Sequence, residues 1–282
     1  MRSSTAQADA EVSTEETKWK PWHNIGLLVL IAAIALVCWF SGVVLSWLGL
    51  PPEAITALWI ILMALLAVTL VLIGHGITGR FEGFLIDSRN KMSLSRLQLI
   101  LWTIVVLPAF LAAAVFNFTM EVGDPLNITV PPEIWGLLGI SAGSLVGSGI
   151  IKSSRPDDDP ATIEQAQETP NPEAALKNLQ DTNDKPEEAS VADLFKGELE
   201  GSKDHLEVGK VQMFFFTLLV VFAYGSAIAD GFDNVSETIS TLPELSAGML
   251  ALLAISHAGY LANKNVSITP APTPPSGGGP SS

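Results

Sequence analysis

The stretch EVGKVQMFFFTLLVVFAYG, Glu207 to Gly225, leaves an acidic segment and enters an apolar run with no charge beyond Lys210. A hydrocarbon core is spanned by about 20 predominantly apolar residues in a helix. Val208 to Ala229 supplies them. The run does not alternate polar and apolar side chains, as a barrel strand of about ten residues would. The whole chain agrees. Of its 282 residues, 48% are hydrophobic and only 16% charged, against about 25% charged in soluble domains.

Five further segments read the same way: Asn24–Gly49, Ala54–Gly79, Leu94–Phe118, Glu133–Ile151 and Glu244–Ala262. None carries a charge in its middle. The first is too long for a signal-peptide core and is expected to stay as an anchor. The expected fold is therefore an all-α integral membrane protein with six transmembrane helices. Lysine and arginine set the orientation. Residues 50–53, 119–132 and 230–243 contain none, and all fifteen lie on the other side of the bilayer. Both termini are expected in the cytoplasm. Trp19 and Trp22 mark the inner interface, and Trp47, Trp59 and Trp135 the outer one.

The opening stretch has an earlier version, SLSRLQLILWT, Ser93 to Thr103. A shift of 114 residues sets Arg96 on Lys210, Gln98 on Gln212, Thr103 on Thr217 and Phe110 on Tyr224. Spans four and six share LLGIS (Leu137–Ser141) and LLAIS (Leu252–Ser256), each after a Pro-Glu pair at Pro132-Glu133 or Pro243-Glu244. Pro132 stands eight residues before Ile140, and Pro243 twelve before Ile255. One extra helical turn in span six would absorb the difference. Spans 3–4 and 5–6 are thus expected to be a parallel duplicated two-helix hairpin. Spans one and two share the Pro-Glu opening but not the glutamine, and ordinary helix-start chemistry accounts for that.

Gln98 and Gln212 sit about one turn inside the membrane. They suit either interhelical hydrogen bonds or the polar lining of a pore. Gln98 and Thr103, like Gln212 and Thr217, lie about 140° apart around a helix, which favours hydrogen-bonded packing over a polar stripe. Gly139, Gly143 and Gly147 recur every fourth residue in span four, a spacing that lets backbones approach within the chain or in a homo-oligomer.

The formal charge of −14 is concentrated in 153–207, which holds fifteen acidic and five basic residues. Its composition argues for a mostly disordered loop. Within it, Ser190 and Asp193 make a capping pattern for a short helix near 190–199. Val191, Leu194 and Phe195 on one face of that helix would dock on protein. The link Arg80–Arg96 is basic with interspersed Phe81, Phe84, Leu85 and Ile86, and fits the inner interface. The remaining divisions are a disordered tail at 1–20, spans one to four within 21–152, spans five and six within 208–264, and a disordered Pro/Gly/Ser tail at 265–282.

The sequence shows no phosphate-binding loop, nucleophile elbow or cofactor motif. Its four histidines, His23, His75, His205 and His257, are scattered, with no metal-ligand spacing. His75 and His257 lie near the cytoplasmic ends of their spans, where histidine is an ordinary interfacial residue; a proton relay through them is the alternative. Clustered lysine and arginine for nucleic acid are missing, and the single Cys38 cannot form an internal disulfide.

SLSRLQLILWT, DLFKGE (Asp193–Glu198), KVQMFFFT and LLAIS together resemble a group of uncharacterised bacterial multi-pass membrane proteins, over roughly residues 80–264. The resemblance implies a bacterial inner-membrane setting and brings no activity or site residues. The function expected is that of a non-catalytic membrane anchor or scaffold, recruiting a cytoplasmic protein through 153–207. The alternative is an oligomeric channel or uncoupled transporter.

Overall fold

The computed structural model describes residues 18–48, 53–120, 123–139, 142, 160–177, 179–235 and 237–266. The long helices are α1 (Pro21–Leu48), α2 (Glu53–Thr78), α3 (Leu94–Thr119), α7 (Val208–Asp233) and α8 (Ala247–Val266). Between α3 and α7 lie α4 (132–139) and the short helices α5 (Pro160–Gln167) and α6 (Pro172–Lys177). Single 3-10 turns occupy Gly83–Leu85, Pro186–Glu188 and Val191–Leu194. The protein is an all-α, multi-pass membrane protein. Among the described residues, four helices, α1, α2, α3 and α7, are long and apolar enough to cross a bilayer.

Of the other two expected spans, one is described only in part and the other starts later than expected. Span four is helical over 132–139, and its remainder, Ala142 apart, lies outside the described residues, with Gly143 and Gly147. In span six the helix starts at Ala247 rather than Glu244, and it ends in the polar Asn263-Lys264-Asn265. Ser246 opens it: its carbonyl accepts from Leu250 N–H and its hydroxyl from Met249 N–H. The four additional residues before LLAIS are thus not a helical turn. They form a non-helical passage, and the distance from helix start to the shared isoleucine is eight residues in both spans.

The bundle is organised around α3, which packs on α1, α2 and α7. Its enclosed face is built from Ala109, Ala112 and Ala113, all fully buried, with Trp102 below them. Alanines let neighbouring helices approach closely where hydrocarbon supplies no driving force of its own. Into this seam α7 sets Val220, Tyr224 and Ile228, and α2 sets Ile55, Trp59 and Leu62. Trp59 also donates its indole N–H to the Val105 carbonyl at 3.1 Å. By contrast, α1 exposes Ile25, Leu28, Val29, Ile31, Leu36, Trp39 and Phe40, as suits a helix that faces lipid on most sides.

At the end away from the lysines and arginines, two loops are fastened together. Thr129 N–H donates to Ser240 O at 2.8 Å, and Leu242 N–H donates to Thr129 O at 3.0 Å. Buried Asn117, in the last turn of α3, completes the junction. Its amide oxygen accepts from Ile239 N–H at 2.8 Å, while its amide nitrogen donates to Ile239 O at 2.8 Å and to Pro125 O at 3.3 Å. Alongside it, Thr56 of α2 donates to Asp233 at 2.6 Å.

Replacing Asn117 by Ala strands the buried Ile239 amide. The expected cost is about 1–3 kcal/mol, seen as an earlier unfolding midpoint in detergent. A midpoint equal to that of the natural protein would show that the junction contributes nothing.

Candidate functional site

Both central helices are entered from a β-hairpin of the same design. Before α3, Ser93 N–H donates to Leu85 O at 2.9 Å, Ile86 pairs with Met92, and Asp87 N–H donates to Lys91 O at 2.9 Å. Before α7, Glu207 N–H donates to Phe195 O at 2.8 Å, Lys196 pairs with Leu206, and Gly197 N–H donates to His205 O at 3.3 Å. The returning strands correspond at an offset of 114, the outgoing strands at 110, so the second tip is four residues longer. The helices share the offset of 114 at both ends and are 26 residues each. The first-turn cations match as well. Arg96 donates to Ile86 O at 2.5 Å, and Lys210 donates to Lys196 O at 2.7 Å.

Local sequence explains the hairpins. Asn90, at the first tip, has a positive φ of 56°, a conformation asparagine tolerates better than most residues. Gly83 lies where a Cβ would meet the Thr78 hydroxyl at 2.0 Å and the Gly74 carbonyl at 2.3 Å. Only the lack of a side chain at both Gly83 and Gly74 lets this hairpin cross the end of α2. Leu85, Ile86, Met92, Leu94, Ala189, Leu194, Phe195 and Met213 then form a small second core, in which Phe195 meets Phe214 edge-on at 5.2 Å.

A short clasp, Leu179–Asn183, joins the hairpins. On one side Asp181 N–H donates to Glu198 O at 3.1 Å and Glu200 N–H to Leu179 O at 3.0 Å. On the other, Asn183 and Asn90 exchange side-chain amide bonds to each other's carbonyls at 2.8 and 3.0 Å, while Asn183 N–H donates to Arg89 O at 2.9 Å. Charges are buried beneath it. Lys91 pairs with Asp181, Arg89 with Asp87 at 3.0 Å, and Lys210 with Glu198 at 3.3 Å. The Lys210 side chain is 4% exposed, so its charge is met almost wholly by protein. The loop expected to be mostly disordered thus follows a fixed course from 179 to 207. Its carboxylates find buried cations on a distant part of the chain, a source of order that a composition argument omits.

The residues singled out in the sequence fall in several places. Gln98 of α3 is buried and donates to Thr217 of α7 at 2.7 Å, and Thr217 donates to Met213 O at 2.8 Å. Thr103 donates to Leu99 O within its own helix at 2.8 Å. Gln212 is exposed, so the two glutamines occupy unlike environments. Gly139 is exposed, and an added Cβ would touch nothing within 4 Å. Ser190 and Asp193 form a complete capping box, but on a 3-10 turn rather than an amphipathic α-helix. Leu194 is buried and Phe195 partly so, against the bundle, while Val191 is 61% exposed and leaves that face.

Sequence reasoning missed Arg89, Lys91, Asp181, Asn183 and Glu198. Carrying the offset of 114 back through Met92 and Leu206 would have exposed the hairpins. Nothing local announces the clasp. Carboxylates are exposed at Glu164, Glu168 and Glu173 on α5 and α6 and at Asp184, Glu187, Glu188 and Asp204 on the cap. Among the described residues no group of three or more His, Cys, Asp or Glu is placed to hold a metal. Together these elements define a helical membrane protein with a folded acidic cap. Comparison with family models, curated proteins and solved structures returns no match.

Two outcomes follow for the cap. Lys91→Met leaves the Asp181 carboxylate unpaired and is expected to cost about 3–5 kcal/mol, read as faster hydrogen exchange over 179–183. Adding Asp181→Leu should restore most of the protection, and no restoration would remove the pair from the account. Separately, the Lys18 ammonium donates to the Glu187 carboxylate and holds it below the ordinary carboxylate range. A lowered folded value contributes stability at neutral pH that disappears as pH falls through it. Acid should therefore loosen 186–189 at the end of α2, and Lys18→Met should weaken that pH dependence in hydrogen exchange.

Proposed function

We propose that the protein is a non-catalytic anchor and scaffold of a bacterial inner membrane, with both termini and the acidic cap in the cytoplasm. The asymmetric lysines and arginines support that orientation. In this reading the chain crosses six times, and its last four spans descend from a duplicated unit of β-hairpin, glutamine-bearing helix and return helix. The matching hairpin ladders and helix bounds support the duplication.

One observation carries the scaffold reading. The clasp and the two hairpins turn the basic residues Arg89, Lys91 and Lys210 inward onto carboxylates and leave a net-acidic surface facing out. A fixed array of exposed carboxylates suits a partner with a basic face, by electrostatic complementarity that sets register and speeds encounter. Because the hairpins and clasp rest on the ends of α2, α3 and α7, a partner bound to the cap would be held at the membrane.

A second reading, an oligomeric assembly able to conduct, draws on exposed Gln212 and the open flank of Gly139. Both sit where a neighbouring copy could cover them.

The test is purification in mild detergent of the natural chain and of a variant with Glu164, Glu168, Glu173 and Asp184 changed to Gln or Asn. Scaffold function predicts a stoichiometric soluble partner that is lost from the variant and released by salt, with hydrogen-exchange protection at 179–207 intact. A complex of unchanged composition in both samples overturns it. A homo-oligomer without a partner would instead favour the second reading and direct attention to flux in liposomes with Gln212→Leu.

A further inference from the structure

His23 and His75, 52 residues apart, meet where α1 and α2 end on the lysine- and arginine-bearing side. Nε2 of His23 lies 3.1 Å from Nδ1 of His75. His23 is fully buried, with Trp22 stacked on it at 3.6 Å and Trp19 at 5.2 Å. His75 lies between Trp22 at 5.6 Å and Phe81 at 5.0 Å. His23 is also the third residue of α1, which starts at Pro21. Its Nδ1 accepts from Lys20 N–H at 2.8 Å, the reach-back that a Glu or Gln makes in a capping box. A ring nitrogen accepting that bond carries no hydrogen. The neutral ring therefore bears its proton on Nε2 and donates it to His75. The carbonyl oxygen of Lys20 stands 3.1 Å from the same Nδ1.

We infer that His23 and His75 form a binding site for one proton, worked by a tautomer exchange in His23. A proton added at Nδ1 of His23 displaces the Lys20 N–H and is donated to the Lys20 carbonyl. The proton on Nε2 of His23 passes across the bond to Nδ1 of His75. One proton has entered, His23 is neutral again, and His75 carries the single positive charge. The hydrogen bond between α1 and α2 survives with donor and acceptor exchanged, and is now charge-assisted.

The surroundings place the charge on His75. It occupies the last turn of α2, where aligned peptide dipoles favour a cation, whereas His23 occupies the first turn of α1, where they oppose one. Both aromatic rings beside His75 fall within the about 6 Å over which a ring face attracts a cation. Nearby charges are matched or solvated. Lys18 is bonded to Thr78 O and Glu187, Arg80 lies 3.6 Å from Glu82 and donates to the carbonyls of Pro186, Glu187 and Ala189, and Lys20 is exposed. A second proton would set two N–H groups against each other and break the tether. The site thus reports acidity on its own side of the membrane to the α1–α2 contact. It stands independently of the scaffold reading.

The test is nitrogen NMR of the full chain in lipid nanodiscs with labelled imidazoles, taken from about pH 8 to about pH 5, across the range where imidazole titrates. His23→Gln and His75→Gln assign the signals against His205 and His257. The expected result is a coupling between the two rings that persists through uptake of the first proton, while the hydrogen on His23 moves from Nε2 to Nδ1. Loss of the coupling with the first proton, or a His23 that keeps its hydrogen on Nε2 throughout, overturns the inference. In His75→Gln, whose amide pairs with His23 but cannot titrate, His23 should keep one tautomer at every pH. A tautomer exchange there would show that no proton is relayed.

Discussion

Cations that are cut off from water must be met by carboxylates. Arg89, Lys91 and Lys210 stand at the boundary between apolar helices and the cap, each with its side chain 11% exposed or less. Left alone, such charges would cost several kcal/mol each. Their partners come partly from within the first hairpin, as Asp87, and partly from far along the chain, as Asp181 and Glu198. That requirement draws the acidic segment back onto the membrane helices. The hairpin tips, the clasp and the outward-facing carboxylates all take their places from it. Burying ionic rather than apolar groups here adds little net stability, but it admits only one register, because any slip leaves a charge without its mate.

The two hairpin-and-helix units share a plan but not an environment. Gln98 is buried and Gln212 exposed, Thr103 is partly exposed and Thr217 buried, Phe110 is half-covered and Tyr224 enclosed. The cause is position. Helix α3 is enclosed by α1, α2 and α7, whereas α7 packs on α2, α3 and α8. Equivalent side chains therefore meet different neighbours. The Gln98–Thr217 bond shows the result, since it joins the glutamine of one unit to the threonine of the other.

What was legible in the sequence follows from which forces are local. Apolar length alone located α1, α2, α3 and α7 within a few residues at each end. The largest departure is that α7 runs on through Asp230-Gly231-Phe232-Asp233, where Asn234 bonds back to Asp230 and Thr56 meets Asp233. Periodicity could not foresee that support. The start of α8 was misplaced because Pro-Glu is a generic opening signal, and Ser246, four residues on from Pro243's neighbour at 242, does the capping instead. The ordered course of 179–207 was hidden because disorder was argued from the segment's own composition. The meeting of His23 with His75 was hidden because neither residue has a local companion. By contrast, the offset of 114 was readable from four residue pairs, and the backbone hydrogen bonds ahead of the two helices keep the same offset back through Met92 and Leu206.

The Asn117 junction has a mechanical consequence. Helices α3 and α7 are pinned together at one end by that amide and the loop pairing around Thr129, and at the other by the clasp. Two rods braced at both ends cannot open like a hinge at either, and twisting one about the other would shear both braces at once. Rocking of one half-bundle against the other, the motion by which many transporters alternate their access, would have to break a buried polar junction on every cycle. Compliance is left to α1, whose side chains from Ile25 to Phe40 are exposed wherever they do not face α2 and α3.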